Sequence, residues 1–266
     1  YSNFVTLLRS SEDSPMSISI LDRLWFLHQN PGQQAPQILI DTPLSIEEGQ
    51  NLQIQLLERW LDQGEELGGW KIGMTSGASR NAMGDGIRPF GFILKSRIGV
   101  DNIKLDLKEL YNGGVENEVC FGFDSSLSAG TTIEDAKLKV ASIHPGFEIN
   151  QKRLPNTASS GLRVADNLSN WGIVYGQDAG TDIEINEIFV ELYANGKAIE
   201  KTVSKDHIDD HYQSICTLAN KLGAHGLAIE KEHKVITGAF GKTPFAKGFF
   251  KGEFSHDLGS VSLEII

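Results

Sequence analysis

The sequence predicts an α+β chain in which a small helical N-terminal part precedes a larger β-rich domain, and three observations carry that prediction. Amphipathic helical repeats occupy the first 68 residues. After Gly68-Gly69 they give way to short β-rich runs punctuated by Gly, Asn and Asp. Farther on, Asn195-Gly196 stands between two strand-like runs, as a tight hairpin turn requires. The boundary therefore divides a helical region over 1–68 from the β-rich domain over 69–266.

Each element has a local reason. Ser14-Pro15 reads as an N-cap with proline at the first helical position, and Ile20, Leu21, Leu24, Trp25, Leu27 and His28 follow at helical spacing. A second helix starts at Ser45 with Glu48 three residues on, a capping box, after which Leu52, Leu56, Leu57, Trp60 and Leu61 trace one face. Between them, NPGQQAPQ is a connector. Strands are expected at 115–121, 171–176, 234–239 and 259–266, interrupted by a helix after Thr131-Thr132 and another over His211–Leu222 that Gly223 and Gly226 stop.

The bulk numbers exclude several classes. With 40% apolar and 22% charged residues in 266, the chain has ordinary globular composition, and no apolar run approaches the roughly 20 residues of a bilayer-spanning helix. The opening YSNFVTLLRSSEDSP carries no basic and then apolar leader pattern, and Cys120 and Cys216 form no C-x-x-C, so a reducing, cytoplasmic setting without a disulfide framework is expected. A formal charge of -11 disfavours nucleic acid, which is bound by neutralising phosphates, but leaves room for an anionic small substrate in a cleft whose local field differs.

Four segments can carry chemistry. In GVENEVCF, Glu116 and Glu118 share one side of a strand, which suits either a solvated edge or a hard-cation site. PGFEI places Glu148 between apolar residues, a candidate third oxygen ligand. GGWKIGMTSGAS sets Lys71 in an apolar run, where it either snorkels or, if desolvated, has a lowered pKa suited to proton transfer. Two further patterns fail: Gly241-Lys242-Thr243 lacks the first glycine of a P-loop and is followed by Pro244, and His207 and His211, spaced like a helical zinc pair, enclose Ile-Asp-Asp and fit an exposed helix start.

Taken in order, GWKIGMTS, VENEVCF, PGFEINQKR, VADNLSNWGIVYG, VITGAFGKTP and LGSVSLEI, together with the helical lead-in from Leu44, resemble the 2-keto-4-pentenoate hydratase and 4-oxalocrotonate decarboxylase family of the fumarylacetoacetate hydrolase superfamily. The resemblance implies that superfamily's fold, with mixed β-sheets of β-roll type, and homo-oligomeric assembly. It implies Mg²⁺ or Mn²⁺ held by Glu116, Glu118 and Glu148, with Lys71 as the active-site lysine. Ser76, Arg153, Asp166, Asn167 and Ser169 match positions near the substrate, a small 2-oxo or 2-hydroxydienoic acid.

Within the family, Ile87-Arg88-Pro89-Phe90-Gly91-Phe92 lacks the acid that hydratases tend to carry there and looks more like the decarboxylase segment. The residues soon after Glu148, Ile149-Asn150-Gln151, and the pair Gly248-Phe249 also depart from the family pattern, each lacking an acid that the family carries there. The missing acid near Pro89 somewhat favours decarboxylation over hydration, whereas the other departures suggest an unusual substrate. Two alternatives stand beside it: a hydrolase or tautomerase of the superfamily acting in a biosynthetic pathway, and a catalytically degenerate binding protein.

Overall fold

The computed structural model of the chain describes residues 19–266, so the Ser14-Pro15 helix start lies outside the described residues. Three helices come first: α1 (Ile20–Gln29), α2 (Gln37–Ile40) and α3 (Ile46–Asp62). They are followed by β1 (Leu67–Ile72), β2 (Phe90–Leu94), β3 (Ile98–Val100), β4 (Ile103–Leu105), β5 (Gly113–Phe123), α4 (Ile133–Lys139) and β6 (Val140–Gln151). The chain continues through α5 (Ser160–Ala165), β7 (Asn170–Tyr175), β8 (Phe189–Ala194), β9 (Lys197–Val203), α6 (His211–Gly223), β10 (Lys234–Pro244), β11 (Gly248–Phe254) and β12 (Gly259–Ile265).

Capping chemistry sets the helix starts. Ser45 accepts from the Glu48 amide while the Glu48 carboxylate accepts from the Ser45 amide, closing the expected box at α3; Ser19 with Asp22 and Thr132 with Asp135 do the same for α1 and α4. Asn195 and Gly196 both have positive φ, as the turn between β8 and β9 requires.

The larger sheet runs β2-β1-β10-β5-β6-β7-β3 and curls until β2 also approaches β7; the smaller runs β4-β12-β11-β8-β9. Odd-numbered residues of β5 such as Val119 and Phe121 join Phe147, Val235 and Trp70 in a large core shared with α6, α3 and the smaller sheet. The even-numbered face points the other way. There Cys120 packs with Ile93, Ile173 and Ile236, and Glu118 and Glu116 come next along the strand.

The N-terminal helices are built into this arrangement. A Cβ on Gly49 of α3 would fall 2.0 Å from the Gly161 carbonyl oxygen, so α3 and α5 approach backbone to backbone. Buried Gln53 of α3 donates to the carbonyls of Phe90 (2.6 Å) and Val164 (3.1 Å), tying α3 to β2 and α5.

Two histidines are buried deeply. His211, expected at an exposed helix start, is instead enclosed at the start of α6 and bonded to Thr237 Oγ1 (2.7 Å) and Ser204 Oγ (3.2 Å). His28 of α1 contacts Asp166 Oδ1 at 3.1 Å. Burial, aided at His28 by Arg153, pushes each imidazole down to about 4. Because the folded values lie below the unfolded value of 6.5, their stabilising effect is complete above pH 6.5 and is lost as pH falls from there towards 4. Each such shift corresponds to about 3 kcal/mol. Urea midpoints measured across that range should fall steeply on acidification, and His211→Asn should flatten the dependence.

Candidate active site

Neighbouring strands bring the candidate residues together. Glu116 and Glu118 of β5 point the same way, and the antiparallel register with β6 sets Glu148 directly opposite Glu116. β10 lies between β5 and β1 and carries two bulges, since Ile236, Ala239 and Lys242 pair with Cys120, Glu118 and Glu116. Gly238, at φ 150°, belongs to the first bulge, and its N–H donates to Glu118 Oε2 at 2.7 Å. A Cβ at Gly238 would sit 2.6 Å from Thr75 Oγ1. On β1, Lys71 pairs with Ile236 and its Nζ donates to Glu148 Oε1, which also accepts from Asn170 Nδ2 at 2.8 Å.

The electrostatics follow from that crowding. Burial and then Glu148 push Glu118 well above the usual carboxylate value, against the opposing pull of Lys71 and the Gly238 amide. Burial and Glu148 also raise Glu116, while Lys71, Lys242 and Lys152 oppose the rise. Desolvation alone would lower Lys71, as the sequence suggested, but Glu148, Glu118 and Glu116 outweigh it and hold the ammonium above the ordinary lysine value. The correction is one of balance: a desolvated lysine beside three carboxylates stays charged.

Oxygen atoms from Glu116, Glu118 and Glu148 lie within 4.8 Å of one another. Three carboxylates against one ammonium form a hard, all-oxygen donor set with excess negative charge, and a divalent cation such as Mg²⁺ or Mn²⁺ fits it.

These residues line a cleft of about 420 Å³, and Ser76 and Ser169 line it too. Arg153, Asp166 and Asn167 do not. Arg153 Nε binds Asp166 Oδ1 at 2.7 Å, and both are buried behind the cleft wall. Asn167 turns its amide onto β2, accepting from the Phe92 N–H (2.8 Å) and donating to the Phe92 carbonyl (2.9 Å). The physical reason is that Arg153, Asp166 Oδ1 and the Asn167 amide bond to buried protein partners rather than to the cleft, while Asp166 Oδ2 is buried without a partner.

The cleft also contains residues that the sequence reading did not select. Lys152 just after β6, Arg163 on α5 and Lys242 on β10 line it, and among the described residues none of these three forms an ion pair. His207 and Glu200 line it as well, Glu200 accepting from the Lys242 amide at 3.3 Å. Lys242 was legible only as part of a failed P-loop, because its position opposite Glu116 depends on strand pairing.

No protein-family model matches the chain. It is 24% identical over 209 residues to a 4-oxalocrotonate decarboxylase of a Pseudomonas species, a match spanning 78% of this chain and 82% of that one. Over 190 residues it is 26% identical to a 2-hydroxypent-2,4-dienoate hydratase of Pseudomonas putida, spanning 70% of this chain and 86% of the hydratase. Among solved structures, a 4-oxalocrotonate decarboxylase from Pseudomonas putida G7, complexed with magnesium and adipate, superposes with a TM-score of 0.83 at 21% identity, covering 94% of this chain and 97% of that one. That likeness establishes the mixed-sheet fold expected from the motifs. Over most of its length, and on the same mixed-sheet fold, the chain is therefore similar to a 4-oxalocrotonate decarboxylase and a 2-hydroxypent-2,4-dienoate hydratase.

Proposed function

We propose that the protein is a divalent-cation-dependent lyase that decarboxylates a small unsaturated 2-oxo diacid of the 4-oxalocrotonate type. The observation that carries this reading is the pairing of an all-carboxylate cation site with three basic side chains, Lys152, Arg163 and Lys242, that form no ion pair among the described residues, in one cleft. In a chain of net charge -11, such a cleft suits a ligand with an anionic group at each end.

In the reaction, the bond to the distal carboxylate breaks and CO₂ leaves. The electron pair moves through the conjugated double bond to the 2-oxo oxygen, which takes up a proton. Glu116, Glu118 and Glu148 would hold Mg²⁺ or Mn²⁺, which when bound supplies Lewis-acid stabilisation of the charge gathering on that oxygen. The Lys71 ammonium, kept charged by its carboxylate neighbours, is a proton-bearing group beside the proposed cation site. Gly238 N–H and Asn170 Nδ2 hold Glu118 and Glu148 in place.

The segment around Pro89 supports decarboxylation. That segment carries no acid, and beside Pro89, Arg88 binds Asp209 at 2.7 Å while Arg80 holds the other Asp209 oxygen at 3.1 Å. Among the described residues the acids lining the cleft are the three glutamates and Glu200. Hydration is the second reading, favoured by Glu200 and His207, the two cleft groups outside the cation site suited to activating water. Homo-oligomeric assembly belongs to the same proposal, and a monomeric mass by light scattering would overturn that part.

The test pairs substrates. Arg163→Gln should raise KM for a 2-oxo diacid by about 10–100-fold, the cost of losing a charged contact, while leaving that for a 2-oxo monoacid within about twofold. Equal changes for both would remove the argument for a second anionic group.

A further inference from the structure

Behind the cleft wall lies a connected set of buried polar groups that starts on the N-terminal helix and ends at the cation site. Asn167, Leu168 and Ser169 have φ of 57°, 51° and 63°, three successive non-glycine residues in the left-handed region. Each costs roughly 1–2 kcal/mol, so this run persists only where its surroundings over-determine it. The surroundings can be named. Arg153 Nη2 donates to the carbonyls of Asp166 (3.1 Å) and Asn170 (3.2 Å), bracketing the run at both ends. Arg153 Nε binds Asp166 Oδ1, and His28 Nε2 meets the same oxygen at 3.1 Å. Beyond the run, Asn170 Nδ2 grips the Glu148 oxygen that Lys71 also binds, while Leu168 and Ser169 line the cleft.

His28 enters this set from α1, far from every motif segment in sequence. Because burial disfavours its charged form and Arg153 adds a positive charge beside it, both holding its pKa down to about 4, the imidazole is neutral at pH 7. Its role towards Asp166 is therefore that of a hydrogen-bond donor through Nε2, fixing which way the carboxylate faces and hence where Arg153 is held.

We infer that His28 is a positioning residue for the active site: through Asp166 and Arg153 it holds the left-handed turn at 167–169, and through Asn170 the orientation of Glu148. The cation-binding part of this inference rests on the proposed function, whereas the part concerning the turn does not.

The experiment uses the full chain with two replacements at one position. His28→Leu removes the donor, and His28→Gln restores an N–H near the Nε2 position. Hydrogen exchange by mass spectrometry reads the turn, and Mn²⁺ titration reads the site, both well below the unfolding temperature. His28→Leu should speed exchange in the peptide spanning 166–170 at least about tenfold and weaken Mn²⁺ by about 10-fold, as loss of an outer partner does, with His28→Gln within about threefold of wild type on both. Should His28→Leu fail to fold, His28→Asn, too short to reach Asp166, takes its place.

Unchanged exchange at 166–170, unchanged Mn²⁺ affinity, or a glutamine variant as impaired as the leucine variant overturns the inference and leaves His28 as a core residue only. A wild-type protein that binds no Mn²⁺ overturns the proposed function, and the exchange result then decides the turn alone.

Discussion

Replacing Glu118 with alanine should weaken Mn²⁺ binding by at least ~100-fold, because loss of an outer partner alone costs about 10–100-fold and Glu118 is a candidate direct ligand. Cation-dependent turnover should disappear with it. Glu118 is buried, and burial and Glu148 push its carboxyl well above the usual range. Its charged form is therefore costly until a cation arrives. The isosteric Glu118→Gln sharpens the test, since its amide oxygen can still accept from the Gly238 N–H while one negative charge is gone. In the metal-free protein that change should raise the thermal midpoint, yet Mg²⁺ should no longer raise it further. A Glu118→Gln protein that still gains stability from Mg²⁺ as wild type does would show that the three glutamates are not the cation site.

The second large effect concerns Lys71. It is the ammonium that meets the glutamates within the buried sheet face, bonded to Glu148 and close enough to Glu118 and Glu116 for both to hold its charge. Lys71→Met removes that cation and leaves the carboxylates uncompensated. In the absence of divalent ions the variant should lose about 3–5 kcal/mol, the cost of breaking a buried ion pair on one side. Saturating Mg²⁺ should return most of that loss, because the bound ion neutralises the same oxygens. Activity should not return, since the proton-bearing group is gone; a fall of about 100-fold or more in kcat is expected. Chemical denaturation with and without Mg²⁺ separates the two roles. An equal loss of stability in both conditions would mean that Lys71 and the cation do not share a site.

The parts legible in the sequence were those in which local chemistry determines local structure. Ser45 with Glu48 announced α3, and Asn195-Gly196 announced the β8–β9 hairpin, because capping boxes and type I′ turns are short-range devices. Glu116 and Glu118 were legible as a same-face pair for a similar reason: the period of a strand is two. β6 was not. At twelve residues it is the longest strand described, yet SIHPGFEINQ contains Pro145, which argues against a paired strand, and does not alternate because both of its faces are buried.

Arg153, Asp166 and Asn167 show a different limit. As charged and polar residues near a motif they read as groups aimed at a ligand. Burial turned each towards a protein partner, and only the three-dimensional arrangement reveals that His28, separated from Asp166 by more than half the chain, is one of them. The basic side chains that do line the cleft, Lys152 just after β6, Arg163 on α5 and Lys242 on β10, come from three separate places in the chain, and no spacing in the sequence links them.

On the proposed function, the cation site and the basic side chains together decarboxylate a 2-oxo diacid. Its most direct test is to incubate the purified protein with 4-oxalocrotonate and Mg²⁺ while following CO₂ release and diene absorbance in the same sample. CO₂ should evolve in step with formation of a 2-hydroxydienoate, stop on chelation of the metal, and be absent in Glu118→Ala. Water addition to a 2-hydroxydienoate without CO₂ release, or no Mg²⁺-dependent change at all, would contradict it.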